Sequence, residues 1–227
     1  MYTKISTYLF SALILLFGIS LDAQAQNKIW TGAVDSSWHT AGNWNPSGVP
    51  TSGQNVIIRG NTTPRPVITS NVTIENLNIN QWSSNPGDQL TIRNNATVTI
   101  NGSLTIPGNG VLNIVNGHVN MTGANSTTLS IGHSNIAAIN ITNGSFTAGN
   151  AGKNINVTLN ANVNLGNGTF DVSGNLIVSN GKVFNAQNGT VTVDKITTIN
   201  GTYNGDDGNT TFNGKVDIKK WWVTEPR

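Results

Sequence analysis

From Val67 to Ile218 apolar and polar residues alternate in short runs, among them VTIENLNI (72–79), ATVTI (96–100), VLNI (111–114), AINI (138–141), NVNL (162–165), TFDV (169–172), TVTV (190–193) and KVDI (215–218). Valine, isoleucine and leucine fall two apart with Thr, Asn or Ser between them, which in a β-strand buries one face and wets the other. No segment has the spacing of an amphipathic helix. Turn signals separate the runs, in a series that includes Asn101-Gly102, Asn116-Gly117, Asn143-Gly144, Asn167-Gly168, Asn180-Gly181 and Asn188-Gly189.

A meander of hairpins and a β-helix both satisfy this pattern, and the distance between strands separates them. The inward pairs begin at Val98, Leu104, Leu112 and Val119, then at Phe146, Ile155, Val163, Phe170 and Leu176, mostly 6 to 8 residues apart. A hairpin sandwich calls for about 8 to 12. Three sides at the shorter spacing make a coil of about 20 to 24 residues, a solenoid period. The expected fold is therefore all-β, a right-handed parallel β-helix with its repeats over 67–220. Asn is about one residue in six. At stacked corners it tolerates left-handed backbone, and its amide reaches the Asn of the next coil.

The tryptophans fall outside the repeats. Three of the six lie in WTGAVDSSWHTAGNW (30–44), and Trp221 and Trp222 follow the last strand. Bulky rings at the ends close an apolar bore and block edge-to-edge pairing. This predicts an aromatic N-terminal cap over 26–66, and a tail or the start of a further region over 221–227. Trp30, Trp38 and Trp44 are also the candidate ligand-binding residues, because an exposed indole packs well on the apolar face of a pyranose. Clustering alone does not separate cap from platform.

Trp30-Thr31-Gly32, Trp38, Asn43-Trp44, Gly48-Val49-Pro50 and Asn55-Val56-Ile57-Ile58 resemble the N-terminal segment of large bacterial secreted and surface proteins of the autotransporter and type IX secretion kinds. In those proteins such a series leads into a parallel β-helix. Pro66-Val67-Ile68, Leu90-Thr91-Ile92 and Gly102-Ser103-Leu104-Thr105-Ile106 continue the likeness, which spans roughly Trp30 to Ile114. It implies an architecture shared by adhesins, polysaccharide-processing proteins and others. Glu225-Pro226-Arg227 follows the repeats directly, without the sorting domain or barrel that such proteins carry. The expectation is a released chain, one held by an anchoring or secretion partner, or the front part of something longer.

Residues 1–25 read as a signal peptide, with Lys4, an apolar run over 8–20 and Ala23-Gln24-Ala25 at the cleavage site. The run is shorter than the ~20 residues of a membrane span. The expected address is therefore secreted or cell-surface, with no membrane span. The chain has no Cys, so burial and hydrogen bonds must hold it. Charged residues are 10% of the sequence and the net charge is +2, against about a quarter in ordinary domains. This leaves no basic face for nucleic acid.

Little of the remaining chemistry converges. Asp171 and Asp194 are 23 residues apart, about one coil, and glycosidases need two carboxyls about 5 to 10 Å apart. Asp171 lies between inward Phe170 and Val172, so a solvated strand position explains it, and no catalytic residue is assigned. Asp206, Asp207 and Asn209, in the loop NGDDGN (204–209), are the candidate metal ligands. Calcium takes oxygen ligands from such clusters, but the EF-hand spacing is missing and a plain turn also accounts for the loop. His39, His118 and His133 lack zinc spacing. Thr97-x-Thr99 and Thr190-x-Thr192 are pairs of the kind a flat ice-binding face carries, without recurring in every coil. These features point to a non-catalytic surface or adhesin-like module whose partner is a polysaccharide or cell-surface glycan. The alternative is a polysaccharide-active enzyme or carbohydrate-binding fragment, and a third reading is ice binding.

Overall fold

The computed structural model describes residues 27–59, 62–81, 89–106, 109–123, 129–131, 138–150 and 152–219; the leader, Trp82, His133, Trp221 and Trp222 lie outside them. The described chain is a parallel β-helix of about six turns with three walls. The first wall has ten strands, running from Trp44–Asn45 and Asn27–Trp30 to Val216–Ile218. The second has seven, from Val67–Ile68 to Thr202–Asn204, and the third seven, from Val72–Ile74 to Asn209–Phe212. Neighbouring coils pair parallel and in register, for instance Val111–Ile114 on Ala138–Ile141. The repeats thus begin earlier than 67, since Asn27–Trp30 and Asn55–Arg59 already pair as parallel strands of the first wall.

Period-two alternation puts one apolar set into the bore. On the third wall Val98, Val119, Phe146, Phe170 and Val191 stack on one another and are all buried. Each such side chain contributes about 1.5 to 3 kcal/mol on burial. Coil length is not constant. Phe146 lies 27 positions after its partner Val119, while Thr210 lies only 19 after Val191. In the later coils the bore carries an aromatic spine: Phe146 and Phe170 stack at 5.1 Å, Phe170 meets Phe184 edge-on at 5.2 Å, and Phe184 stacks on Tyr203 at 5.2 Å.

Asparagine bonds coil to coil at the corners as expected, and more continuously along one wall. The continuous ladder runs along the outer face of the second wall, where Asn113, Asn140, Asn164, Asn185 and Asn204 occupy one register position. The amides of Asn140, Asn164, Asn185 and Asn204 each donate to the Asn side-chain oxygen of the coil before, at 2.9, 2.8, 2.9 and 2.7 Å. At the corners the corresponding bonds, Asn167 to Asn143 and Asn188 to Asn167, are longer at 3.3 and 3.5 Å. Nor do the Asn-Gly corners depend on left-handed Asn: among the described ones only Asn116 has positive φ, at 53°. What they need is the missing Cβ. A side chain on Gly144 or Gly168 would run into the backbone oxygen of the glycine one coil below.

Candidate functional site: the third wall

The tryptophan cluster is the first place to look for a ligand platform, and the structure closes it. Trp30 pairs antiparallel with Trp44 across the first wall. Trp44 meets Trp30 edge-on at 5.0 Å and Trp38 edge-on at 4.6 Å. The Trp44 Nε1 donates to the Trp38 carbonyl at 2.8 Å, and the Trp30 Nε1 to the Pro64 carbonyl at 2.9 Å. The three side chains are 1%, 0% and 3% exposed for Trp30, Trp38 and Trp44. A sugar-stacking role for these residues therefore fails on access, and they form a plug over the first coil.

Polar groups fix the plug. Buried Asn43 accepts from the Val34 and Asp35 amides and donates to Asp35 Oδ1 at 2.6 Å and the Ser37 carbonyl at 2.9 Å. Hydrogen bonds donated to its carboxyl, first by the Asn43 amide and then by the Ser37 N–H at 2.8 Å, hold Asp35 below its ordinary pKa. Lys28 is 5% exposed and donates to the Pro46 and Ser47 carbonyls, both at 3.0 Å. Sequence reasoning missed both Asn43 and Lys28. Single polar residues beside Trp carry no signal of burial.

The loop proposed for calcium is a tight turn, closed by the Gly208 amide on the Gly205 carbonyl at 3.1 Å. Asp206 sits in left-handed backbone at φ 39°, and Asp206, Asp207 and Asn209 are all exposed. Asn209 belongs to the following strand. Among the described residues no three His, Asp or Glu side chains group to hold a metal. His39 bonds Ser70 and His118 bonds Ser145, each at 2.9 Å.

The third wall carries its outward polar side chains in long lines. Parallel register turns its outward positions into two straight rows. One contains Thr97, His118, Ser145, Thr169, Thr190 and Asn209; the other Thr73, Thr99, Asn120, Thr147, Asp171, Thr192 and Thr211. Rows lie roughly 7 Å apart along a strand and coils about 4.8 Å apart, so the face runs to roughly 30 Å. The Thr97–Thr99 and Thr190–Thr192 pairs occupy the same two rows, which varying coil lengths hide in the sequence. The hydroxyls of Thr73, Thr97, Thr99, Thr147, Thr169, Thr190 and Thr211 make no hydrogen bond among the described residues. The second wall is the opposite case, its amides joined to one another.

A groove of about 370 Å³ indents this face, lined by Thr147, Asn150, Asp171, Ser173, Thr192 and Asp194 with Gly149 and Val172. Its rim is a short excursion in which Gly149 pairs antiparallel with Asn154 and Asn150 with Lys153. Ser173 Oγ ties that excursion to the next coil, donating 2.6 Å to the Lys153 carbonyl. Asp171 and Asp194, one coil apart in the sequence, both line the groove. Burial raises the Asp171 pKa, a hydrogen bond from Thr192 opposes this, and the Asp194 charge raises it further. Among the described residues neither Lys nor Arg lines the groove.

A carboxyl that is easier to protonate in the folded chain takes up a proton on folding between its ordinary pKa and the raised one. Stability contributed by this site therefore falls as pH rises through that window. Asp171→Asn is expected to stabilise the fold at neutral pH by no more than about 1 kcal/mol, since solvent screens a half-exposed charge. The gain should fade as pH falls towards the ordinary aspartate pKa of about 4 and vanish about one unit below it, where the carboxyl is protonated in both states. Urea unfolding at neutral and acid pH reads this directly. A variant less stable at neutral pH would mean that the charge is compensated.

A family model described as Domain of unknown function (DUF8693) matches residues 29–131, the plug and the first coils. No curated protein and no solved structure matches the chain. No helix among the described residues is long and apolar enough to cross a membrane.

Proposed function

We propose that the protein is an exported, non-catalytic surface module whose third wall binds an extended, uncharged polysaccharide. The observation that carries this reading is the contrast between two walls of one helix. The amides of the second wall satisfy one another, whereas most threonine hydroxyls in the rows of the third make no hydrogen bond among the described residues. A polymer with hydroxyls along its length offers each row alternating donors and acceptors, and many weak contacts add through multivalency. The carboxylates of Asp171 and Asp194 accept sugar hydroxyls and repel acidic polymers, which favours a neutral chain. The apolar leader supports export, and the sequence likeness to adhesin-like proteins supports a place at the cell surface.

The Asp171–Asp194 pair favours a second reading, a glycoside hydrolase, because two carboxyls lining one groove, one of them with a raised pKa, suit an acid and its partner. The threonine rows run well beyond the groove, so binding accounts for the whole face more simply. An ice face is a poorer fit, since His118, Asn120 and Asp171 interrupt the Thr rows. Affinity electrophoresis in gels containing neutral or acidic polysaccharides, run with an assay for new reducing ends, separates these readings. Retardation by a neutral polymer without new reducing ends is expected. Cleavage abolished by Asp171→Asn would establish the enzyme instead, and free migration in every gel would exclude the polysaccharide reading.

A further inference from the structure

We propose that Asn180 is the chain's preferred site of spontaneous deamidation, a covalent modification that the fold disfavours at Asn-Gly steps held in stacked corners. In this reaction the peptide nitrogen after Asn attacks the side-chain Cγ. The new N–Cγ bond closes a five-membered succinimide while the Cγ–Nδ2 bond breaks, and the amide leaves as ammonia with the proton from the peptide nitrogen. Water then opens the ring to aspartate or isoaspartate. The attack needs a following residue without a Cβ, a peptide N–H free of hydrogen bonds, and a side chain free to swing.

Stacked corners withhold these conditions. The Gly102 amide donates to the Glu75 carbonyl at 2.7 Å, that of Gly189 to Ala186 at 2.9 Å and that of Gly201 to Val178 at 3.1 Å. At Asn116-Gly117 the peptide plane is held by the Asn116 carbonyl, which accepts from the Asn95 amide at 2.5 Å. Asn167 and Asn213 have their side-chain amides bonded, to Asn143 and Asp194. Gly144 is pressed against Gly117 of the coil below.

The step Asn180-Gly181 escapes all of this. It forms the two middle residues of a turn from Ser179 to Lys182, closed by the Lys182 amide on the Ser179 carbonyl at 3.1 Å. Both middle residues are exposed, and Gly181 has φ +72° with nothing within 4 Å of the position a Cβ would take. Neither the Asn180 carbonyl nor the Gly181 amide makes a hydrogen bond among the described residues. The turn leads from the first wall, Leu176–Val178, to the second, Val183–Asn185. A new charge there leaves the third wall unaltered, so this inference stands apart from the polysaccharide reading.

Ageing the folded chain in warm, mildly alkaline buffer, with peptide mapping by tandem mass spectrometry, tests it. Conversion at Asn180 is expected to be at least about tenfold faster than at Asn101, Asn188 or Asn200, because attack at a stacked corner first requires local opening. In concentrated urea these rates should converge. Equal rates in the folded chain would overturn the inference. So would a lead for Asn180 that persists in urea, since that preference would belong to local sequence and not to the fold.

Discussion

Replacing Trp44 by Ala is expected to cost about 3 to 5 kcal/mol of folding stability, the range for removing a large buried aromatic side chain. Trp44 is the middle of the plug: its ring lies edge-on to both Trp30 and Trp38, and its Nε1 satisfies the Trp38 carbonyl at 2.8 Å. The Ala variant leaves a cavity between two indoles and a buried carbonyl without its donor. In a stack where each coil is stabilised by its neighbours, loss at one end frays inward. Urea unfolding should therefore show a lower midpoint, and hydrogen exchange should speed up first in Asn27–Trp30 and Asn55–Arg59. An unchanged midpoint would mean that the indoles close nothing, and would reopen the platform reading.

Phe170→Ala should cost a similar 3 to 5 kcal/mol for a different reason. Phe170 is fully buried at mid-helix, 5.1 Å from Phe146 and 5.2 Å from Phe184. The parallel ladders above and below fix the coils about 4.8 Å apart, so the bore cannot collapse into the space. The loss falls on interfaces with both neighbouring coils. Exchange should therefore accelerate in Ser145–Asn150 and Thr190–Val193 together, splitting a single unfolding transition where the stack is cut. A variant that unfolds in one step with a shift under about 1 kcal/mol would show the spine to be replaceable packing.

The repeats were legible because burial in a strand follows a period of two and parallel coils repeat one register. Asn113 between Leu112 and Ile114, or Asn164 between Val163 and Leu165, already marks an outward position on a second-wall strand. The corners form the expected Asn bonds, at 3.3 and 3.5 Å, but without the left-handed backbone that Asn-Gly suggests. In a stack those steps obey the distance between coils, which glycine alone accommodates. The third-wall rows were hidden by coils that vary from 27 to 19 residues between stacked partners. No fixed period aligns Thr99 with Thr147 and Thr192. The groove was half legible, since Asp171 and Asp194 were seen to be one coil apart, but its rim at Gly149–Asn154 depends on an excursion with no periodic signal. The tryptophans show a plainer limit. Cap and platform use the same residues, and only the direction of their faces separates them.

The most direct test is a glycan array probed with the folded chain and two double variants. Thr147→Val with Thr192→Val changes the third wall, and Asn140→Ala with Asn164→Ala changes the second. The account predicts binding to neutral glycans that the third-wall variant loses and the second-wall variant keeps. Binding that survives on the third-wall variant, or fails on the second-wall variant while the fold persists, would contradict it.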